Sequence, residues 1–507
     1  MSHIVIQDAL YKAKSVRELD RLAIQQLGVT GIVLMKRAGR AAFDELIAAW
    51  GAPSFITVFC GSGNNAGDGY IVAALAAEKG IAVQVVELAA AEKLTDDARL
   101  AREYSANAGV SFAAFTADID IAEGVVVDAL LGTGFQLCEN NPMRQDYAQA
   151  IDCINAAALP ILSIDLPSGL CSDSGSAADA AVKADISVTF IAAKQGMFSG
   201  RGPALCGEVI YHSLDIDEQL FQQLPCSSVL MDLDDLLEQY PHRDADAYKN
   251  QFGHAMVIGG DHGYGGAALM AAETALRTGA GLVSVATRPE HVAASLARQP
   301  EIMASGIISG QELEPLLDKP TVLVIGPGLG RSPWSEQLLQ KAVASGLPMV
   351  VDADALNIIA EGRVVPVPDG SRWVMTPHPA EAARLLNISV ADVQADRFSA
   401  VRALQEKFNA VVLLKGAGTL IASADSPFIN VCPYGNPSMA TAGMGDMLSG
   451  IIGALLAQGL EPAQATQLGC CLHSAAADMA VAERGARGLA ATDIGVYIAA
   501  ILNGVDL

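Results

Sequence analysis

The sequence has little charge, and most of the charge it has is negative. Only 17% of the 507 residues are charged, with 32 Lys and Arg against 56 Asp and Glu, for a net charge of −24. An acidic surface repels phosphate-rich polymers and anionic bilayers, which argues against nucleic-acid or membrane partners. Small phosphate-bearing ligands are still allowed, because backbone amides and helix N-termini bind phosphate without basic side chains.

Cysteine is also sparse and unpatterned. The nine cysteines are an odd number, and none forms a CxxC pair, which argues against a disulfide framework or a zinc site. The start "MSHIVIQDALYKAK" lacks the basic and apolar regions of a signal peptide, and "GIIGALLAQGL" is too short to span a bilayer. We therefore expect a soluble, cytoplasmic protein in a reducing compartment.

The chain is too long for one ordinary core, which favours two domains. Apolar strands such as "FITVFC" and "VVVDALLG" alternate with alanine-rich helical stretches from Phe55 onward, and a second alternation starts at "HAMVIGG". Continuous Val/Ile runs with helical crossovers are typical of parallel sheets covered on both faces. The fold prediction is α/β, with two tandem three-layer domains at 1–218 and 230–507. A linker is predicted at 219–229, within a largely acidic and polar stretch from about 217 to 247.

Three polar stretches follow strands in the first half. They are "GSGNNAGDG" at 61–69, "DALLGTGFQ" from Asp128 and "DLPSG" from Asp165, with a helix expected to open near Tyr70. In open parallel sheets, ligands bind at the carboxyl ends of the strands. Oxygens from Asn65, Asp128 and Ser168 would suit a singly charged cation such as potassium. The alternative is structural, with the Asn and Asp capping helices and the Ser completing a turn.

"GSGNNAGDGY", "DALLGTGF" and "DLPSGL" together resemble the NAD(P)H-hydrate epimerase family over residues 10–215. The resemblance implies a Rossmann-like domain that binds the hydrated cofactor, with potassium at Asn65, Asp128 and Ser168. It also implies Asp165 as the proton-transfer or ring-binding residue, assisted by Lys194, for which a solvated loop lysine is the alternative. The implied substrate-binding residues are Asn64, Asn65, Ala66, Gly67, Asp68, Gly132, Thr133, Gly134, Phe135, Gln136, Leu137, Cys138 and Asp165.

In the second half, "TAGMGDMLSG" at 441–450 leads into an apolar helix. Amides of Gly443 to Gly445 would form an anion hole, and Asp446 beside it could take a proton from a hydroxyl nucleophile. The alternative is an ordinary loop with Asp446 as an N-cap. "LLKGAGT" puts glycines after a strand where a nucleotide could approach, and "TPHPAE" puts His378 on a proline-flanked turn, where a structural role is the alternative.

"HAMVIGGDHGYGGA", "GPGLG", "DADALN", "TPHPAE", "LKGAGT" and "GNPSMATAGMGDMLSG" resemble the dehydratase domain of the same repair-enzyme family over residues 230–505. The resemblance implies a ribokinase-like fold with Asp446 as the catalytic base. It implies a substrate site of Ala267, Gly328, His378 and Asp446, and a nucleotide site of Lys415, Gly416, Ala417, Gly418, Thr419 and Gly445.

The implied function is repair of hydrated nicotinamide cofactors, and the tandem order resembles the bifunctional repair enzymes of bacteria. The first half would interconvert the R and S hydrates, and the second would dehydrate the S hydrate with ADP, giving AMP and phosphate. Potassium, ADP and magnesium are the expected cofactors, NADHX and NADPHX the substrates, and a homo-oligomer the expected assembly. The rival is a ribokinase-like small-molecule kinase fused to a non-catalytic nucleotide-sensing module. The residues leave open the donor nucleotide, the preferred hydrate, the epimerase mechanism and channelling between the sites.

Overall fold

The computed structural model describes residues 8–119, 121–136, 143–238, 240, 243–364 and 372–505. The chain divides into two compact units, Met1–Val229 and Leu230–Leu507. The division falls at the end of the segment predicted as a linker, within which Leu220 and Phe221 are buried in the core of the first unit. The domain boundaries set from the sequence stay a prediction.

The strands of the first unit are β1 (Ala9–Tyr11), β2 (Phe55–Cys60), β3 (Ala82–Glu87), β4 (Ser111–Ala114), β5 (Val125–Ala129), β6 (Ile161–Ile164), β7 (Ile186–Phe190), β8 (Ala193–Lys194) and β9 (Glu208–His212). Strand β10 (Ser228–Leu230) begins in this unit and ends at the first residue of the second. Its helices are α1 (Ala13–Leu27), α2 (Gly31–Trp50), α3 (Asn64–Glu78), α4 (Asp96–Asn107), α5 (Gln145–Ala156), α6 (Gly202–Leu205) and α7 (Glu218–Phe221). Helix α1 ends at Gly28, whose φ of 67° suits glycine.

Seven of these strands form a parallel sheet in the order β4-β3-β2-β5-β6-β7-β9. The strand β5 is buried along its whole length and β2 along all but its first residue, as expected for strands covered on both faces. The chain order of the strands reverses between β2 and β5. Ligands of doubly wound sheets bind at that point, outside the carboxyl ends of the strands.

The strands of the second unit are β11 (His254–Ile258), β12 (Leu282–Thr287), β13 (Met303–Gly306), β14 (Val322–Ile325), β15 (Met349–Val351), β16 (Trp373–Met375), β17 (Val411–Leu414), β18 (Leu420–Ala422) and β19 (Ile429–Val431). Its helices are α8 (Leu233–Leu237), α9 (Gly265–Arg277), α10 (Val292–Arg298), α11 (Gly310–Leu313), α12 (Pro333–Ala344), α13 (Ala353–Ala360), α14 (Pro379–Leu386), α15 (Val390–Ala395), α16 (Arg397–Phe408), α17 (Met444–Ala457), α18 (Pro462–Arg484) and α19 (Gly495–Asn503).

Strands β13-β12-β11-β14-β15-β16-β17 are parallel, and β18 and β19 continue the sheet antiparallel. The main core lies where α9, α17 and α18 pack on the sheet. Here the reversal of strand order falls between β11 and β14. The predicted fold class, two tandem α/β units built on parallel sheets, is confirmed.

Candidate functional site

A cavity of about 710 Å³ lies at the carboxyl ends of β2 and β5 in the first unit. It is lined by most of the residues predicted to bind the hydrate, namely Asn64, Asn65, Asp68, Gly132, Thr133, Gly134, Phe135, Gln136 and Asp165, together with Lys194. Ala66 and Gly67 are buried in the first turn of α3 beside it. Leu137 and Cys138 lie outside the described residues. The strand ends therefore bring the predicted stretches to one cavity.

Helix α3 begins at Asn64, six residues before the predicted opening near Tyr70. Its N-cap is Gly63, and no side chain caps it. The predicted start was too late. A glycine- and asparagine-rich stretch has low helix propensity, but packing of the buried Ala66 and Gly67 overrides that propensity here. The amides of Ala66 and Gly67 bond to the Gly63 carbonyl, so the first two amides of the helix, those of Asn64 and Asn65, lie at the cavity wall.

Asp128 is fully buried at the end of β5 and ties two loops together. Its carboxylate accepts hydrogen bonds from the Ser168 hydroxyl at 2.6 Å and the Ser168 amide at 2.8 Å, and from the Ser163 hydroxyl at 3.0 Å. Burial raises the pKa of Asp128, although the bonds from Ser168 oppose that shift. The structure therefore places two of the three predicted potassium ligands in direct contact.

The third predicted ligand, Asn65, is close to the same loops. Its amide nitrogen donates to the Leu131 carbonyl at 3.1 Å, and the Ser168 hydroxyl lies 3.3 Å from that same carbonyl. The side-chain oxygen of Asn65 is buried and has no hydrogen-bond partner among the described residues. Asn65 is not a helix cap, since Gly63 holds that position. An unpartnered amide oxygen beside a carboxylate and a hydroxyl fits a potassium ion.

Lys194 is 1% exposed, so the alternative of a solvated loop lysine is wrong. Its ammonium group contacts the Asp165 carboxylate and donates to the Thr189 hydroxyl at 2.9 Å and the Phe190 carbonyl at 3.0 Å. Asp165 itself has a φ of 70°, a left-handed conformation that is unusual for a residue with a side chain. The structure thus fixes the Asp165 carboxylate, paired with a buried ammonium group, at the cavity wall.

Two further carboxyl groups line this cavity, Asp20 on α1 and Asp68 on α3. Burial raises the pKa of Asp20 to about 6; the Lys194 charge opposes this shift and the Asp165 charge adds to it. Burial raises the pKa of Asp68 well above its usual value, with Asp165 and Asp20 adding to the effect. Asp20 was missed from the sequence because it lies inside a helix rather than after a strand.

In the second unit, two glycines after β14 allow a close approach of other segments, one after β15 and one at the start of α9. Gly326, after β14, has a φ of 128°, and a Cβ there would lie 1.8 Å from the Asp352 carbonyl oxygen. Gly328 has a φ of 57°, and a Cβ there would lie 3.1 Å from the Cβ of Ala267. Two of the predicted substrate-binding residues, Gly328 and Ala267, are therefore neighbours.

Helix α17 begins at Met444, and its N-cap is Gly443, with a φ of 93° and no side-chain capping bond. Asp446 is the third residue of the helix and not its N-cap, so the capping alternative is wrong. Burial raises the pKa of Asp446 to about 7, with Asp352 adding to the shift and Lys415 opposing it. A carboxyl group that titrates near neutrality beside first-turn amides is suited to act as a general base.

Lys415 joins the predicted nucleotide loop to this helix. Its ammonium nitrogen lies 2.7 Å from the Asp352 carboxylate, and a Cβ on Gly445 would lie 3.2 Å from that nitrogen. Burial alone would lower the pKa of Lys415, but Asp352 and other carboxylates raise it overall. The loop that follows, residues 416–419, is partly exposed, with the Thr419 hydroxyl bonded to the Gly416 carbonyl at 3.0 Å. Lys415 is therefore held charged where a phosphate could approach.

His378 has a structural role at the start of α14. Its Nδ1 accepts from the Ala380 amide at 3.1 Å, while the Glu381 carboxylate accepts from the His378 amide at 2.8 Å. Burial lowers the pKa of His378, so the imidazole is neutral at pH 7 and Nε2 carries its proton. The side chain is 48% exposed, and its Nε2 lies 3.3 Å from a Glu381 carboxylate oxygen. Its substrate-binding role stays a prediction.

Three residues of this site were not singled out from the sequence. Asp352 directly follows β15, and Glu381 lies in the quoted "TPHPAE". Burial raises the pKa of Glu381 to about 7. Their position after strands was an available signal. His473, on α18, is buried with an unpartnered Nε2 among the described residues, and burial lowers its pKa to about 4. Nothing in the sequence indicated His473, because it lies inside a long helix.

Comparisons with known proteins agree with this geometry. A family model described as NAD(P)H-hydrate dehydratase matches residues 255–500, and one described as YjeF-related protein N-terminus matches residues 31–196. The bifunctional NAD(P)H-hydrate repair enzyme Nnr of Coxiella burnetii is 45% identical over 97% of this chain and 99% of its own. That of Escherichia coli is 40% identical over 99% of this chain and 95% of its own. The structure of a Streptococcus mutans protein matches at 26% identity with a TM-score of 0.50, covering 54% of this chain and 99% of that one.

The fold and the geometry together define a two-unit α/β protein with glycine-rich loops at the strand ends of each unit. Its similarity to the curated relatives extends over nearly the whole chain. The chain belongs to the family of bifunctional NAD(P)H-hydrate repair enzymes. Among the described residues, no helix has the length and hydropathy needed to cross a membrane.

Proposed function

We propose that this chain repairs hydrated nicotinamide cofactors, with epimerisation of NAD(P)HX in the first unit and dehydration of the S epimer in the second. The observation that carries the proposal is the position of Asp446. It lies in the first turn of α17, its pKa is about 7, and the Lys415–Asp352 pair is beside it. Relatives that match both units and are named for this repair support it.

For dehydration, the chemical difficulty is that hydroxide is a poor leaving group. Asp446 takes the proton of the ring hydroxyl as that oxygen attacks the terminal phosphoryl group of the nucleotide. The amides of Met444 and Gly445 and the Lys415 ammonium stabilise the charge on the transferring group. The lone pair of the ring nitrogen then expels phosphate to form a carbon–nitrogen double bond, and loss of a proton from the adjacent ring carbon restores the dihydronicotinamide. We propose ADP as the donor, giving AMP.

Ala267, Gly328 and His378 would hold the hydrate, and the loop of Gly416, Ala417, Gly418 and Thr419 would hold the nucleotide. Support comes from their common location at the carboxyl ends of β14, β16 and β17 and at the start of α9. Among the described residues, no three His, Cys, Asp or Glu side chains form a metal-binding group. Magnesium would then accompany the nucleotide, since it is usually held by substrate phosphates and one or two carboxylates.

For epimerisation, the cavity of the first unit would hold the hydrated ring against Asp165, with Lys194 holding that carboxylate in place. Potassium would be held by Asn65, Asp128 and Ser168, where it would supply a fixed positive charge for the anionic part of the ligand. We further propose a cytoplasmic location, supported by the eight described cysteines being unpaired. The homo-oligomeric assembly stays a prediction from the sequence.

The experiment is incubation of the purified chain with both hydrate epimers and ADP or ATP. We expect full recovery of reduced-nicotinamide absorbance and release of one phosphate and one AMP for each NADH or NADPH formed with ADP. A lasting phosphorylated product without recovery of absorbance would instead support the kinase alternative. Recovery of only about half of the hydrate would contradict the epimerase assignment.

A further inference from the structure

The cavity of the first unit contains more acid groups than a binding site for one carboxylate would need. Asp20, Asp68 and Asp165 line it together, and Lys194 is bonded to Asp165 alone of the three. Three negative charges around a single ammonium group would repel one another, so the cluster must carry protons at neutral pH. The distribution of these protons separates the carboxyl groups by role.

Asp165 is the carboxylate that is paired with an ammonium group. Its carboxylate receives the buried Lys194 ammonium, which also donates to the Thr189 hydroxyl at 2.9 Å and the Phe190 carbonyl at 3.0 Å. All three donor positions of the ammonium are thereby used within the protein, and none is directed to Asp20 or Asp68. The ammonium is thus a fixed countercharge for one carboxylate.

Asp20 differs because it comes from α1, a separate wall of the cavity, and has no such bonded countercharge among the residues that the structure describes. The charged groups that act on it are Arg17 on its own helix, Lys194 on β8 and Asp165 after β6, and Asp20 in turn raises the pKa of Asp68 on α3. Burial raises the pKa of Asp20 to about 6. Two carboxyl groups in different surroundings, one paired with an ammonium group and one not, are the usual arrangement of an acid and a base in one site.

We propose that Asp20 is the proton donor of the epimerisation and that Asp165 is the acceptor, an assignment that rests on the proposed function of the first unit. Asp20 gives its proton to the ring hydroxyl, the carbon–oxygen bond breaks, and water leaves as the nitrogen lone pair forms a carbon–nitrogen double bond. Water then adds to the opposite face, its proton passes to Asp165, and the double-bond electrons return to nitrogen. Solvent in the cavity carries the net proton from Asp165 back to Asp20.

Asp68 is the competing donor. Burial raises its pKa well above the usual value, so it is a second buried carboxyl group that can carry a proton for the reaction. Because both side chains line the cavity, their roles are separated by comparing Asp20→Asn with Asp68→Asn under the same conditions.

The test is the rate at which the purified full-length chain interconverts the two hydrate epimers, with the spontaneous rate subtracted, from pH 5 to 8. We expect Asp20→Asn to lower kcat by about 10²-fold or more at pH 6 and Asp20→Glu to restore part of it. In the unsubstituted chain, kcat/KM should fall as pH rises through about 6, and this limb should be absent in Asp20→Asn. Glu18→Gln, on the same helix but in an exposed pair with Arg21, is the control and should keep both rate and profile.

Each result decides one point. An unchanged rate and pH profile in Asp20→Asn would overturn the assignment, and so would loss of the limb in Asp68→Asn alone. If the unsubstituted chain does not exceed the spontaneous rate, the proposed epimerase function itself fails. Thermal unfolding midpoints of all variants, compared with that of Glu18→Gln, separate a chemical effect from a folding defect.

Discussion

The Lys415 ammonium lies 2.7 Å from one oxygen of the Asp352 carboxylate, and the Ser449 hydroxyl donates to the other oxygen at 2.7 Å. Asp352 is 1% exposed. The pair thus links the end of β15, the loop after β17 and the first turns of α17. It keeps a positive charge beside Asp446, which is what transfer of a phosphoryl group requires.

Replacing Asp446 by Ala should lower kcat for nucleotide-dependent dehydration by at least about 10²-fold, because the attacking hydroxyl would lose its proton acceptor. Binding of the hydrate should remain detectable by calorimetry. Asp318→Asn is the control. This exposed residue precedes β14, at the amino-terminal ends of the strands, away from Asp446 at their carboxyl ends. A near-normal rate in Asp446→Ala would show that another group is the base.

The pH dependence of dehydration should report Asp446. A carboxyl group acts as a base only when ionised, so kcat/KM should rise with pH through about 7, where burial places its pKa. The same shift has the opposite sign for stability. The folded chain binds more protons than the unfolded chain between the ordinary aspartate pKa and 7, so this group's contribution falls as pH rises across that window.

The measurement is kcat/KM between pH 5.5 and 9, with unfolding midpoints at the two ends. Asp446→Asn should remove both effects. The stability of this variant relative to the unsubstituted chain should therefore be greater at pH 8 than at pH 5. A flat rate profile in the unsubstituted chain would contradict the assignment.

Lys415→Met should destabilise the second unit by about 3 kcal/mol, because it leaves the buried Asp352 carboxylate without its countercharge. The matched control is Lys341→Met, which breaks an exposed 2.9 Å pair with Glu314 and should cost about 0–1 kcal/mol. Chemical denaturation measures both values. Equal losses of unfolding free energy in the two variants would mean that Lys415 does not stabilise the buried Asp352 carboxylate.

Gly61→Ala should destabilise the first unit by about 1–3 kcal/mol, since its Cβ would lie 2.1 Å from the Leu130 carbonyl oxygen. A backbone atom cannot rotate away, so the ends of β2 and β5 would have to separate. Gly63→Ala is the matched control, because no atom lies within 4 Å of its Cβ position. Thermal unfolding compares the two, and an unperturbed Gly61→Ala would contradict the close approach.

Potassium should raise the unfolding temperature of the first unit, by binding the folded state only. The effect should be smaller with sodium or choline, and it should disappear in Asn65→Ala, which removes the unpartnered amide oxygen. Scanning calorimetry at constant ionic strength measures it. An identical response to all three cations would show that Asn65, Asp128 and Ser168 do not bind potassium.

The sequence predicted the two α/β units and most residues at the strand ends, because long apolar runs and glycine-rich turns are local signals. It failed where tertiary packing decides. The helical state of Asn64 and the burial of Lys194 both depend on elements distant in the chain, and a strand-end rule cannot find Asp20 or His473 within helices. It also could not separate a capping aspartate from a reactive one at Asp446, since that distinction depends on which residue starts α17.

The left-handed backbone at Asp165 has a practical consequence for experiments on this chain. Asparagine and glycine accept that conformation, whereas a branched residue such as valine would add torsional strain to whatever chemistry it removes. An inactive N-terminal unit is therefore best made with Asp165→Asn, which keeps the shape of the side chain while discarding its charge. If a bulkier replacement lost function, the experiment could not distinguish a distorted loop from a missing carboxylate.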